Sequence, residues 1–361
     1  MSIGIIGGGL AGVLLCEALQ EQGGEVDWII DSQNPECGSG APTALCHPFP
    51  GRSFLPHPLL QAAYAETSRK LNLWKSKNQN CIRNTSMVRP LLGRTGERLK
   101  ASFEHSWVTP CAQQSWISFE WLKHEDLLQK HPAAAHPQGA VEYTPCFSVD
   151  LDNVLQKRRS HLPLIHAKLI KLERKGQMWS VLTEHQKYKA QKCIFALGSS
   201  AHAFFPNLKL GTYGGELINI STPTQLPAMY SINGLHIGQH NNGQYVFGAS
   251  RWTLAQKPTL QAAGQKLFSR IPEILDLKTP QYESIWRGLR SVYHKDRLPI
   301  TGTIPLYSDL FFLGAFGAKG LLWGPLAARY LAELILQQKS PPIELSSARI
   351  HATKWQSPLV L

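Results

Sequence analysis

The stretch Ile3-Gly4-Ile5-Ile6-Gly7-Gly8-Gly9-Leu10-Ala11-Gly12 decides the fold. Ile3 to Ile6 read as a short buried strand, residues 10–22 carry apolar side chains at helical spacing, and residues 26–30 read as a second strand ending in Asp31. This is a β-α-β unit. Its turn, Gly7 to Gly12, satisfies G-x-G-x-x-G. Gly7 permits the tight turn, Gly9 lets a phosphate approach the backbone, and Gly12 lets helix and strand pack closely. The N–H groups and dipole at the start of the helix suit a pyrophosphate. Asp31 ends the second strand, where dinucleotide sites place the acid that binds ribose hydroxyls. The stretch therefore predicts a dinucleotide site built on Gly7, Gly9, Leu10, Ala11, Gly12, Asp31 and the adjacent Ser32.

Outward from this unit, residues 34–58 are rich in Gly, Pro and Ser and read as a long functional loop without regular structure. Residues 59–75 return to an amphipathic helical pattern, and residues 87–142 are punctuated by Trp and Pro with weak periodicity. A helix is predicted over 150–159 with Asp150 at its start, strands over 165–184, and a short apolar strand over 193–197 closed by Gly198. Residues 213–251 alternate apolar and polar between glycine-containing turns, which predicts an antiparallel sheet. The end of the chain resumes β-α character, with a strand over 310–313, a glycine-rich turn over 314–324 and a helix over 325–337 beginning with Pro325.

The 361 residues exceed what one hydrophobic core usually organises, and 43% hydrophobic usage without a compositional period excludes disordered and fibrous classes. Two intimately joined domains are expected. The formal charge of +12, from 37 Lys+Arg against 25 Asp+Glu, favours an acidic partner such as nucleic acid or an anionic cofactor. Seven cysteines, at positions 16, 37, 46, 81, 111, 146 and 193, lack the spacing of a zinc or redox site, so no metal and a reduced, cytoplasmic setting are expected. The apolar stretch near the start carries Gly7, Gly8, Gly9 and Gly12, and the one at 310–336 contains Lys319, Arg329 and Glu333, so neither is expected to cross a membrane.

Two further stretches favour FAD as the dinucleotide. Cys193-Ile194-Phe195-Ala196-Leu197-Gly198 resembles the ATG-type strand end of flavoproteins with two dinucleotide-binding domains, and residues 314–325 are placed to bring backbone N–H groups to a flavin ring. With the fingerprint, these make the chain similar, over nearly its whole length, to the D-amino-acid oxidase and glycine oxidase superfamily of FAD enzymes. Within it the chain resembles the C-terminal FAD oxidase domain of the MnmC family, bifunctional enzymes that process the wobble-uridine side chain of bacterial tRNA. Ser39-Gly40 with Ala44-Leu45 and His47-Pro48, Phe247-Gly248-Ala249-Ser250, Gly288-Leu289-Arg290 through Asp296-Arg297-Leu298-Pro299 to Gly302, and Phe316-Gly317-Ala318-Lys319-Gly320 with Pro325 carry that resemblance. It departs in four places. No counterpart of the methyltransferase half is read in these 361 residues, the segment after Arg290 is one residue longer, Lys319 stands where arginine is usual, and the loop His47-Pro48-Phe49-Pro50-Gly51-Arg52 is richer than the family's.

The resemblance implies an α/β FAD-binding Rossmann-like domain of the two-dinucleotide-binding type, assigned to residues 1–80, 141–210 and 286–361. A second, antiparallel-sheet substrate domain takes 81–140 and 211–285. Ser39, Ala44, Leu45, Ala196, Gly198, Gly317, Ala318, Lys319, Gly320 and Leu321 join the fingerprint as cofactor-binding residues. The implied substrate is an amine whose carbon bears a carboxylate, oxidised at its C–N bond with dioxygen as electron acceptor. Arg290 matches the arginine that clamps substrate carboxylate in glycine-oxidase-like enzymes; Lys319 is read beside the flavin or the substrate, or as a solvated helix-entrance lysine. His47 either faces the isoalloxazine or is a structural residue of its turn, and Cys46 beside it leaves covalent flavin attachment open.

Arg251 is read as an exposed strand end or as facing an acidic substrate; Tyr213, Tyr245 and Tyr293 are candidate aromatic walls or sheet packing. The basic groups at 157–159 and 168–175 read first as a solvated face. The functional expectation is removal of a carboxymethyl group from modified wobble uridine in tRNA. Its alternatives are a small amino-acid or glycine-type oxidase acting on a free amine, and a flavin-binding interaction protein without turnover.

Overall fold

The strand that opens the chain, β1 (Ile3–Ile6), is flanked by parallel strands on both sides, β2 (Trp28–Asp31) and β11 (Lys192–Phe195), with strands numbered in chain order. A computed structural model describes residues 1–49, 57–77, 80–90, 100–101, 116–135, 139–232, 234–240 and 243–360. The chain divides into two units. The first comprises residues 1–40, 155–213 and 288–361, and the second residues 41–154 and 214–287.

In the first unit a six-stranded sheet runs β18 (Ile300–Thr303), β19 (Leu310–Gly314), β11, β1, β2, β7 (Leu164–His166). Only the β18–β19 pair is antiparallel. The central strands read as unbroken apolar runs because both faces are covered. One cover is α1 (Leu10–Glu21), buried from Leu10 to Leu19, as expected of a helix that is apolar on most sides. It packs on α7 (Gly320–Gln337), and small residues set the approach: a Cβ added at Gly324 would lie 2.7 Å from Leu14 Cδ1. The other cover is a three-stranded antiparallel sheet, β8 (Leu169–Lys175), β9 (Met178–Thr183) and β10 (Lys187–Ala190). Its inward residues Leu172, Trp179 and Val181 join Phe195, Phe205, Phe312 and Trp355 in one core cluster. Each such side chain contributes roughly 1.5–3 kcal/mol on burial.

The second unit holds a large sheet in the order β16 (Trp252–Thr253), β12 (Leu210–Ser221), β15 (Tyr245–Gly248), β14 (Leu235–Gln239), β13 (Met229–Ile232), β4 (Ile82–Pro90), β6 (Ala140–Val149), β3 (Ala44–Cys46). Of these, β12 enters the unit at Gly214. In addition, β17 (Gln281–Tyr293) pairs with β12, and β5 (Ser118–Leu122) pairs with β6. β12–β15, β15–β14, β14–β13, β4–β6, β6–β3 and β5–β6 are antiparallel, as the alternation over 213–251 predicts for its part of the sheet, whereas β13 runs parallel to β4. Helices α2 (Leu60–Lys77), α3 (His124–Lys130) and α6 (Leu260–Phe268) belong to this unit. Glu216 is fully buried in β12 and accepts from Arg287 Nε at 2.7 Å, from Trp252 Nε1 at 2.8 Å and from the Ser250 hydroxyl. A buried carboxylate needs such partners, and this one ties down the chain on both sides of Arg251.

The structure departs from the sequence expectations at three points. Residues 44–46, inside the stretch read as irregular, form β3; a three-residue strand has no periodicity of its own and is defined by its ladder to β6. The final helix starts at Gly320, not at Pro325, which lies inside it. Proline there removes one N–H from the i→i−4 ladder, and the buried apolar residues on both sides of it keep the helix continuous. Residues 41–80 and 141–154, assigned from sequence to the dinucleotide-binding half, lie in the second unit. Among the described residues no helix is long and apolar enough to cross a membrane.

Candidate active site

The turn from β1 to α1 is compatible only with glycine at its fixed points. Gly7 has φ +122°, and a Cβ there would overlap the Ala196 carbonyl at the end of β11. At Gly12 a Cβ would overlap the carbonyl oxygen of Gly7 itself. Gly8 passes close to Asp31, so that an added Cβ would sit 2.8 Å from Asp31 Cβ and Cγ, which puts the predicted ribose-binding acid beside the loop. No side chain of the Gly9 cap position bonds the helix start. Ser39 Oγ instead accepts from the Leu10 N–H at 2.9 Å, and the other first-turn N–H groups, Ala11 and Gly12 included, have no helical carbonyl ahead of them. Open N–H groups, a backbone exposed by glycine and a neighbouring carboxylate form a cradle that fits a dinucleotide diphosphate.

Two segments carry this cradle toward Arg290. The Leu289 N–H donates to the Glu36 carbonyl at 2.8 Å, Cys37 bridges Leu289 in parallel, and a Cβ on Gly38 would meet the Leu289 carbonyl at 2.8 Å. On the far side of Arg290, the Gly317 N–H donates to the Ser291 carbonyl at 2.8 Å and Val292 bridges Phe316. Arg290, half-buried, thus sits in a strand held between the segment after Asp31 and the turn into α7. That turn is sharply formed, with left-handed backbone at Ala315 and Gly317, φ +60° and +58°. It ends on Lys319, the N-cap of α7, where Gly320 approaches Leu10 of α1: a Cβ there would lie 3.0 Å from Leu10 Cδ2. The beginnings of the two helices therefore meet. Burial, then the charge of Arg297, lowers the Lys319 pKa from its ordinary value.

Within the first unit the structure brings together Gly7, Gly9, Leu10, Ala11, Gly12, Asp31, Ser39, Ala196, Arg290, Gly317, Ala318, Lys319, Gly320 and Leu321. Ser32 follows Asp31 as an exposed residue, and Gly198, with φ +54°, opens a short 3-10 turn two residues after Ala196. Ala44, Leu45 and His47 belong to the second unit, where Ala44 and Leu45 pair with Val149 and Ser148. Residues 50–52 of the same loop lie outside the described residues. Tyr143 OH lies 3.1 Å from His47 Nδ1. Burial, then Arg89 and His236, push the His47 pKa well below 6.5, so its imidazole is neutral at pH 7 and offers hydrogen bonds rather than charge. Burial likewise raises the Cys46 thiol and keeps it protonated, unlike the thiolate that covalent attachment needs.

The candidate aromatic residues pack locally. Tyr245 is buried and its hydroxyl accepts from the Leu226 N–H at 3.0 Å; Tyr213 lies edge-on to His294 at 5.8 Å; Tyr293 carries the Arg349 guanidinium over its ring at 5.4 Å. Two arginines read from sequence as part of a solvated face are not. At the end of α4 (Leu151–Arg159), Arg158 pairs with Glu17 of α1 at 2.5 Å, and Arg159 Nε donates to the Gly8 carbonyl at 2.7 Å. Nothing in the local sequence distinguishes them from Lys157, which is exposed.

A second titrating cluster sets a pH expectation. Burial would raise Glu142, but hydrogen bonds from His131, Lys130 and Ser86 outweigh it and bring its pKa down to about 2. Both depressed groups act in the same direction. The unfolded chain takes up protons near the ordinary values of about 6.5 for His and about 4.3 for Glu, and the folded chain only further down. Stability present at neutral pH is therefore lost first as pH falls below about 6.5, from His47, and again below about 4.3 toward 2, from Glu142. Melting temperature against pH should show both limbs. His47→Gln is expected to flatten the upper limb alone; an unchanged slope there would remove His47 as its source.

The model of the family described as DAO, FAD dependent oxidoreductase, matches residues 2–334. The chain belongs to that family. As a DAO-family member it is an FAD-dependent oxidoreductase, and the glycine cradle fits that cofactor. Among curated proteins it is 24% identical, over 98% of its length and 58% of the relative's, to the tRNA 5-methylaminomethyl-2-thiouridine biosynthesis bifunctional protein MnmC of Caulobacter sp. (strain K31). The chain thus spans little more than half of that relative. Glycine oxidase from Geobacillus kaustophilus shares the fold with a TM-score of 0.79 and 16% identity, covering 94% of this chain and 95% of its own. Iminodiacetate oxidase from Chelativorans sp. BNC1 does so with a TM-score of 0.75 and 16% identity, at 95% and 98% coverage.

Proposed function

We propose that this chain oxidises the C–N bond of a carboxymethylamine, with the carboxymethylamino side chain of a modified wobble uridine in tRNA as its preferred substrate. What supports the proposal is the backbone on either side of Arg290, bonded through Leu289 to the segment after Asp31 and through Ser291 to the turn into α7; a guanidinium fork carried there suits a substrate carboxylate. FAD supplies, when bound, a two-electron acceptor for the C–H bond beside nitrogen. Arg290 binds and orients the carboxylate, and Lys319 adds positive charge at the entrance of α7. R–NH–CH2–COO⁻ loses a hydride and a proton to become the imine R–N=CH–COO⁻, which water splits into R–NH2 and glyoxylate. Dioxygen takes the two electrons and becomes hydrogen peroxide. The likeness to a tRNA 5-methylaminomethyl-2-thiouridine biosynthesis protein and the charge of +12 support a tRNA substrate in the cytoplasm.

A second reading, a free small amine as in a glycine-type oxidase, is supported by the match in fold to a glycine oxidase over 95% of that enzyme's chain. Anaerobic reduction of the flavin separates the two. Bleaching by tRNA bearing carboxymethylaminomethyl uridine, and not by glycine or sarcosine, is the expected result. Bleaching by the small amines alone would replace the tRNA reading, and no bleaching by any amine would leave only a flavin-binding interaction protein.

A further inference from the structure

The phosphate loop is held from outside by a side chain that the fingerprint does not include. Arg159, the last residue of α4, donates its Nε–H to the carbonyl of Gly8 at 2.7 Å across 151 residues of sequence. The Gly8–Gly9 peptide is not among the cis bonds of the described chain, so its C=O and N–H point in opposite directions. Drawing the carbonyl toward Arg159 therefore turns the Gly9 N–H away from it, to the opposite side of the peptide. The Gly9 N–H leads the first-turn N–H groups of α1, whose partial positive charge suits an anion.

The charge of Arg159 is itself not neutralised. Its neighbour Arg158 is paired with Glu17 at 2.5 Å, whereas among the described residues no carboxylate pairs with Arg159 and only its Nε is bonded. A half-buried guanidinium held on the carbonyl of this loop adds its charge to the loop and leaves the Gly9 N–H to the diphosphate.

We propose that Arg159 is a positioning residue of the dinucleotide site: it sets the Gly8–Gly9 peptide plane, aims the Gly9 N–H at the diphosphate and adds a net positive charge to the loop. This rests on the assignment of FAD as cofactor and goes beyond it.

The test uses the full chain stripped of flavin and titrated with FAD, followed by ADP and adenosine in competition. Arg159→Gln is expected to raise the FAD Kd about 10- to 100-fold, the range for losing one charge-assisted hydrogen bond. It should weaken ADP in parallel, leave adenosine within about twofold, and flatten the salt dependence of ADP binding. Arg159→Lys should recover part of the loss by restoring charge. Arg158→Gln, which breaks only the Glu17 pair, should lower the melting temperature of the apoprotein and leave FAD affinity within about twofold. An FAD Kd for Arg159→Gln within twofold of the parent overturns the proposal, as does a loss for adenosine as large as for ADP, which marks a collapsed loop. Failure of the parent chain to bind FAD overturns the cofactor assignment first, and that result is separate from either.

Discussion

Arg290→Ala lowers kcat/KM for a carboxylated amine by roughly 30- to 5,000-fold, while FAD stays bound at full stoichiometry. The range follows from truncating one side of a hydrogen-bonded charge pair in a desolvated site, about 2–5 kcal/mol, at about 1.36 kcal/mol per factor of ten. The two readouts separate because the neighbouring bonds are made by backbone. Leu289 N–H to Glu36 and Gly317 N–H to Ser291 persist whatever side chain stands at position 290. Arg290→Lys should lie between, since an ammonium keeps charge and loses the planar fork. Stopped-flow reduction with saturating and subsaturating amine measures the effect directly. Turnover within threefold of the parent would take the carboxylate clamp away from Arg290.

Gly12→Ala is the second large effect, and it is an effect on cofactor. The added methyl would overlap the Gly7 carbonyl oxygen, which belongs to the backbone of the same loop and cannot move independently. The helix start must therefore shift away from the diphosphate position. Losing two N–H bonds to an anion, at about 1.5–3 kcal/mol each, raises the FAD Kd roughly 150- to 25,000-fold. Purified protein should carry little flavin, and the stabilisation that bound FAD lends the fold should vanish with it. Gly176→Ala is the control: Gly176 has φ +61° but open space around it, so it should cost roughly 1–2 kcal/mol of stability and no flavin. Equal flavin content in the two variants would contradict the close-approach argument.

The fingerprint strand, its helix and the acid that ends β2 were legible because each is a local pattern: spacing of glycines, apolar periodicity and a carboxylate at a strand end. The antiparallel sheet over 213–251 was legible for the same reason. The strand β3 was not, because three residues among Gly and Pro have no period, and only the ladder Ala44–Val149, Leu45–Ser148, Cys46–Phe147 makes them a strand. The start of α7 was misread since Pro325 is a common first residue of helices, yet here the buried faces of Leu321, Leu322 and Trp323 extend the helix ahead of it.

By itself the sequence determined that this chain binds a dinucleotide on a β-α-β unit, for phosphate recognition there needs only contiguous backbone freed by Gly7, Gly9 and Gly12. The tertiary structure alone decided which charges serve that unit. Arg158 and Arg159 are adjacent and chemically identical, but one turns to Glu17 and the other to the Gly8 carbonyl. Arg290 likewise reaches its place through Leu289 and Ser291, whose backbone partners lie far away in sequence. Charge has no periodicity that a single sequence reveals, and its direction is set by the packing that brings distant segments together.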